Sequence, residues 1–224
     1  MADVFQSTLD RIQSIIERKR YGLLVNYVAE GTEPDPETFR FAIITNRGEK
    51  VATIKTHVST GDVVFGKTRD KEIRQDTPVL SITWLGTEPE RQGEGLAILL
   101  LIYALCYLKK HNPHINYGIL DDDSNRSERV IGNIYASMGY EFQGIIALDM
   151  ADSKRLILSG PERQLMLDTP KMIQAFLARV NKILDEKFPG IGGKRKTKKN
   201  KKTKKNKKTR KSRRFKKSKK SRKK

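Results

Sequence analysis

Apolar residues at Val4, Phe5, Leu9, Ile12, Ile15 and Ile16 recur every three or four positions, so about Asp3–Arg20 is predicted as an amphipathic helix. Tyr21–Ala29 is apolar without a decisive period, and Gly31–Pro36, with two prolines, reads as a loop. Phe39–Thr45 and Val51–His57 predict two strands paired around the turn Asn46-Arg47-Gly48-Glu49. A short strand at Val63–Phe65 precedes a charged connection to Pro78. Val79–Leu85 predicts a stronger strand, with Leu80, Ile82 and Trp84 on one face and Trp84 therefore in the core. Turn residues fill Gly86–Gly95, and an apolar helix follows from about Leu96 to Lys110, stopped by Asn112-Pro113. Ile115–Leu120 reads as a strand ending in Asp121-Asp122-Asp123. A helix around Ser127–Met138 stops at Gly139, and Tyr140–Leu148, Arg155–Leu158 and Gln164–Leu167 are strand candidates. Thr169 as N-cap and Pro170 at the first helical position open a last helix, to about residue 188. Met172, Ile173, Phe176, Leu177, Val180, Ile183 and Leu184 line one face of it. Pro189-Gly190 ends it and Gly192-Gly193 forms a hinge.

Charge divides the chain at that hinge. Of the 31 residues Lys194–Lys224, 22 are Lys or Arg and none is acidic, which leaves 24 basic and 26 acidic residues before them. The formal net charge of +20 therefore belongs to the tail, and the high pI says nothing about the body. Residues 1–193 suit one domain with a sizeable core. In the tail an uncharged residue stands at every third position, from Thr197 to Ser221, and only Phe215 is apolar. Such a segment has no face to bury and repels itself, so disorder is expected. Its charge suits nucleic acid or another polyanion, bound through counterion release, and Lys194–Lys208 fits a nuclear-localisation run.

Cys106 is the only cysteine, which excludes an intramolecular disulfide and is compatible with a reducing compartment. His57, His111 and His114 are dispersed, so no metal site is expected. The start of the chain lacks the pattern of a signal peptide, and the most apolar run, Leu96–Leu108, is 13 residues against the roughly 20 needed to span a bilayer. A soluble, intracellular protein without a transmembrane segment is expected.

The informative chemistry lies at one corner. Strand Val79–Leu85 runs into Pro89-Glu90-Arg91-Gln92-Gly93-Glu94-Gly95-Leu96-Ala97 and then a helix. Small residues at 93, 95 and 97 allow close approach of a ligand to backbone. The first amides of a helix lack intrahelical partners and lie at its positive end, which suits phosphate oxygens. A simple tight connection would have the same composition. Two other phosphate loops fit less well. Gly61-x4-Gly66-Lys67-Thr68 has the Walker spacing, but the charged Arg69-Asp70-Lys71-Glu72 follows where that motif needs a helix. The dinucleotide fingerprint would need a third glycine where Ile98 stands.

Gln92-x-x-Gly95-x-Ala97, with Pro89 three residues ahead, resembles the Q/R-x-x-G-x-G/A signature of the GNAT acyltransferases. Leu85-Gly86-Thr87 resembles the strand end that holds the pantetheine arm in that family. Some forty residues on, Asn133–Tyr140 resembles its second motif, a tyrosine followed by Gly-aromatic. The resemblance runs from about Phe39 to Leu167. It implies an α/β (α+β) fold, a mixed, mostly antiparallel central sheet flanked by helices. It further implies acetyl-CoA as acyl donor to a primary amine, with the pyrophosphate on Gln92, Gly93, Glu94, Gly95, Leu96 and Ala97. The thioester would lie at Leu85, Gly86 and Thr87, and Tyr135 would be the general acid. Where the family often has Asn seven residues before the tyrosine, this chain has Glu128, with Asn125 one turn earlier. Ser81 and Thr83 stand where some relatives carry a carboxylate base, leaving Asp121 as a candidate base through water or as a solvated turn. An alternative is a binding protein of the same fold that has lost turnover and acts through its basic tail.

Overall fold

Helix α1 (Ala2–Arg18) forms over the predicted span and buries Phe5, Leu9, Ile12, Ile15 and Ile16. The computed structural model describes residues 2–29, 31, 33, 35–60, 67–68, 71–72, 77–122, 134–150 and 155–190. The basic tail and the expected strand at Val63–Phe65 lie outside these residues. So does the predicted helix from Ser127 up to Ile134.

The ambiguous segment after α1 is an edge strand, β1 (Gly22–Val25), paired with β2 (Thr38–Ile44). β2 and β3 (Lys50–Thr60) form the predicted hairpin, and Gly48 supplies the positive φ of 85° that its turn requires. β4 (Lys67–Thr68) and β5 (Lys71–Glu72) pair only with each other. Where a Walker loop would open a helix, Lys71 and Glu72 are thus extended.

Next come β6 (Pro78–Thr87), a 3₁₀ turn at Pro89–Arg91, α2 (Leu96–His111) and β7 (Tyr117–Asp121). The chain then gives α3 (Ile134–Met138), β8 (Glu141–Met150), β9 (Arg155–Met166) and α4 (Pro170–Lys187). Seven strands form one sheet in the order β1-β2-β3-β6-β7-β9-β8, antiparallel throughout except between β6 and β7. This is the mixed, mostly antiparallel sheet flanked by helices that the resemblance implies. β9 is one strand where two were expected. Pro161, between the two expected strands, sits opposite Ile145 at an irregularity in the β8–β9 ladder, where a missing N–H costs least.

The one parallel pair follows from α2, which carries the chain from the end of β6 back to the start of β7. α2 packs on β2, β3 and β6 and also against α1. Leu99, Leu100, Leu101, Ile102, Ala104, Cys106 and Leu108 have no exposed surface. Burial on every side explains why its sequence is apolar without helical periodicity. Its C-terminal end is tied by Lys109, whose Nζ donates to the carbonyls of Pro113 (2.7 Å) and Ile115 (2.8 Å) and to Asn116 Oδ1 (2.8 Å). Burial lowers the pKa of this amine. Lys109→Met keeps the apolar stem but leaves those acceptors without their donor. It should cost about 2–3 kcal/mol of unfolding free energy, measured by urea denaturation.

Thr169 caps α4 as predicted, its hydroxyl accepting from the Met172 N–H at 3.2 Å. Ile173, Phe176, Leu177, Val180, Ile183 and Leu184 are buried, followed by Phe188. That last ring reaches the corner between β6 and α2.

Candidate functional site

The β6 strand carries a bulge. Lys55 of β3 pairs with Trp84 and Thr56 with Ile82, so Thr83 is an extra residue. The Thr83 hydroxyl donates to the Lys55 carbonyl at 3.2 Å. An extra residue resets the two-residue alternation of a strand. Leu80 is accordingly buried, whereas Trp84, expected in the core, is 62% exposed.

Beyond the bulge the sheet opens. β6 pairs with β7 only from Val79–Tyr117 to Ile82–Leu120, although β6 continues to Thr87. The Glu88 N–H donates to the Val51 carbonyl on the β3 side (2.9 Å). By alternation, the N–H groups of Leu85 and Thr87 face the gap between β6 and β7. A cavity of about 400 Å³ occupies this gap, between Thr83–Thr87, the end of β7 at Leu120 and Asp121, and Tyr135.

At the turn, the N–H of Gln92 donates to Pro89 (3.3 Å) and that of Glu94 to Arg91 (3.4 Å), both within the turn. Gly95 is the N-cap of α2 at φ 78°, no side chain caps the helix, and its first intrahelical bond runs from Leu99 to Gly95. The N–H groups of Gly93, Gly95, Leu96 and Ala97 have no acceptor among the described residues. This is the uncapped, positive end that a phosphate complements. Gly93, at φ 83°, has open space where a side chain would stand. At Gly95 a Cβ would come within 2.7 Å of the Phe188 ring, so there the lack of a side chain serves packing. Leu96 is buried, which leaves only its amide toward the site.

Glu94 would oppose an anion, and it is held elsewhere. Its carboxylate accepts from the Tyr21 hydroxyl (3.1 Å) and lies 3.5 Å from Arg91 and 3.8 Å from Lys19. Burial and this hydrogen bond raise the Tyr21 pKa. A second cavity, about 650 Å³, lies over the start of α2, lined by Gln92, Gly93, Ala97 and the cations Arg91 and Lys187. Lys187 has no ion pair among the described residues.

The two cavities share Thr87, Ala97, Ile134 and Tyr135. The buried Thr87 hydroxyl at this junction has no hydrogen-bond partner among the described residues, a cost of about 1–3 kcal/mol carried at one point. Tyr135 and Tyr140 meet edge to face at 6.0 Å. Burial holds the Tyr140 phenol far above its ordinary range, whereas Tyr135 is half-buried and lines both cavities. Of the two phenols, Tyr135 is therefore the one that lines both cavities.

Asp121 lies exposed on the gap, while its neighbour Asp122 is buried in an ion pair with Arg163 at 2.9 Å. Ser81 pairs with His57 and Ile119 within the sheet, away from the gap. Cys106 is fully buried and its thiol pKa is raised by burial. Among the described residues no group of three or more His, Cys, Asp or Glu is arranged to hold a metal ion, and no helix is long and apolar enough to cross a membrane. Glu128, Asn125 and Asn133 lie outside the described residues. Sequence reasoning missed Lys187 and Phe188, which arrive from α4 without any motif, and the exposure of Trp84.

No family model matches the chain, and no curated protein matches it in sequence. Solved structures do. The ribosomal-protein-S18-alanine N-acetyltransferase from Escherichia coli matches at 14% identity and TM-score 0.43, over 72% of this chain and 88% of its own. Arabidopsis thaliana NAA60, in complex with acetyl-CoA, matches at 11% identity and TM-score 0.47, over 73% of this chain and 95% of its own. An acetyltransferase of the GNAT family from Streptococcus pneumoniae matches at 12% identity and TM-score 0.41, over 59% and 68%. What each of them binds or acts on belongs to that protein.

Proposed function

We propose that this protein transfers an acetyl group from acetyl-CoA to an amine. One observation carries the reading: an uncapped helix N-terminus and an opened strand edge adjoin two cavities that meet at Thr87, Ala97 and Tyr135. Such an arrangement would suit a ligand with an anionic diphosphate at one end and an amide-rich arm at the other. The free amides of Gly93, Gly95, Leu96 and Ala97 would take the diphosphate, with Arg91 and Lys187 as countercharges. Gln92 and Glu94 belong to the same turn, but their own amides are engaged within it.

The arm would lie along Leu85, Gly86 and Thr87 in the gap. There the outward N–H groups of Leu85 and Thr87 would polarise the thioester carbonyl. A neutral amine attacks that carbon, the C–N bond forms and the C–S bond breaks, and the proton that the nitrogen sheds passes through solvent to restore Tyr135 once it has donated. Tyr135 gives its proton to the departing sulfur. Titration of the full chain with acetyl-CoA by calorimetry tests the reading. Saturable one-to-one binding is expected, and no binding would overturn it.

The segment 194–224 is proposed to hold nucleic acid or another polyanion near this domain, a role compatible with a nuclear location. Its 22 positive charges without a negative one support this. Deleting Lys194–Lys224 should abolish low-salt binding of a fluorescent DNA or RNA oligomer. In the full chain, affinity should fall at least about 10³-fold between ~50 and ~200 mM salt. Unchanged binding by the truncated chain would refute the assignment. A non-catalytic binding protein acting through its basic tail is the second reading, motivated by Thr83, a hydroxyl tied to the Lys55 carbonyl where a carboxylate base could stand.

A further inference from the structure

We infer that the cavity between the start of β8, β9 and α4 is a binding site for a free α-amino acid with an apolar side chain, taken as its zwitterion. The cavity measures about 200 Å³ and shares no lining residue with the two cavities at β6 and α2. Gly139, Glu141, Gln164, Met172, Phe176 and Arg179 line it. Register builds one side. Glu141 and Gln164 are directly paired across the β8–β9 ladder, so their side chains stand next to each other on one face of the sheet. α4 supplies the other side, because Met172, Phe176 and Arg179 are four and then three residues apart and share a helix face. The Arg179 guanidinium lies against Gly139, where a Cβ would collide with its Nη1.

Three polar groups in this cavity are unused by the fold. Gln164 is 3% exposed, and its Nε2 has no hydrogen-bond partner among the described residues. A buried donor without an acceptor is costly to folding, so its presence calls for a use outside the fold. Arg179 and Glu141 bring opposite charges to the same cavity, yet among the described residues neither is in an ion pair. A simple anion would be drawn to Arg179 and repelled by Glu141, and a simple cation the reverse. A molecule carrying both charges satisfies both side chains, and its carboxylate on Arg179 also gives the Gln164 amide an acceptor. Much of the remaining wall is apolar, with Leu165 and Phe176 buried and Met172 beside them. Size narrows the class further. The cavity is smaller than the ~300–1,000 Å³ of sites for drug-sized ligands, which suits one amino acid and not a peptide or a nucleotide.

The test is calorimetric titration of the full chain with L-leucine and with two analogues that each keep one of its charges, isocaproate and isoamylamine. Leucine should bind saturably and one-to-one. Each analogue should bind at least about tenfold more weakly, having lost one charge-assisted contact. Arg179→Met keeps an apolar stem in the cavity and should weaken leucine by about tenfold or more. Glu141→Gln should bring leucine down to the affinity of isocaproate. Gln164→Leu removes the unpartnered donor, so its melting temperature should hold or rise while leucine affinity falls. In that variant a weaker isotherm cannot be put down to a damaged fold. Absence of leucine binding in the parent overturns the inference. So does equal binding of leucine and isocaproate, which would make this an anion site, and so does leucine affinity unmoved in Arg179→Met, which would put the amino acid elsewhere.

Discussion

Ala97→Glu is expected to abolish measurable acetyl-CoA binding while leaving the domain folded. Ala97 is the second residue of α2 and lines both cavities where they meet. A longer side chain there fills the junction, and its carboxylate faces a diphosphate held on the neighbouring amides. Like charges brought together without solvent cost several kcal/mol, and about 3 kcal/mol is already a hundredfold in affinity. The same carboxylate stands in the first turn of a helix, where it favours folding by about 0.3–1 kcal/mol. The melting temperature should therefore hold or rise while calorimetric binding disappears. Ala97→Gln, with the bulk and no charge, should retain part of the affinity. Equal affinity in Ala97→Glu and the parent would place the diphosphate elsewhere. Gly95 is the poorer probe. Its φ of 78° and the Phe188 ring at 2.7 Å from a Cβ mean that Gly95→Glu disturbs packing whether or not a ligand binds.

Tyr135→Phe separates chemistry from binding. The phenyl ring keeps the contact with Tyr140 and the lining of both cavities, and only the hydroxyl is lost. Loss of a general acid costs about 10²–10⁴-fold in rate. The variant should thus show kcat for thiol release down at least about a hundredfold, with acetyl-CoA affinity unchanged. Unchanged kcat would remove Tyr135 from proton transfer and leave that step to water. A parallel loss of affinity would make it a packing residue of the cradle. The two substitutions thus fail in different assays, and together they tell a dead cradle from a dead proton donor.

Much of the architecture was readable from pattern. The amphipathic α1 and α4 advertise their buried faces, and the hairpin β2–β3 its turn glycine. The apolar α2 was found as well, although its lack of period became intelligible only once sheet and α1 enclosed it. The corner Pro89–Ala97 was legible for a related reason: its amides, glycines and helix start are consecutive, so local backbone geometry is enough to build it. Other readings failed where contacts at a distance decide. Trp84 was assigned to the core by strict alternation, and a single extra residue at Thr83 reversed that. Arg155–Leu158 and Gln164–Leu167 read as separate strands, and an irregular ladder with β8 carries the chain between them as one.

By its order of residue types alone, the chain specified α1, α2 and α4, most of its described strands and the glycine-rich turn that opens α2. These depend on propensity, periodicity and neighbours in sequence, all of which are written linearly. Tertiary structure alone decided that β6 and β7 part after Ile82 and Leu120, that Phe188 closes on Gly95 and that Lys187 lines the cavity over the start of α2. It also decided which of two nearby tyrosines stays open to the cavities. The physical reason is register: where a ladder stops and which ring fills which gap depend on the fit between segments up to a hundred residues apart, and no local pattern encodes that fit.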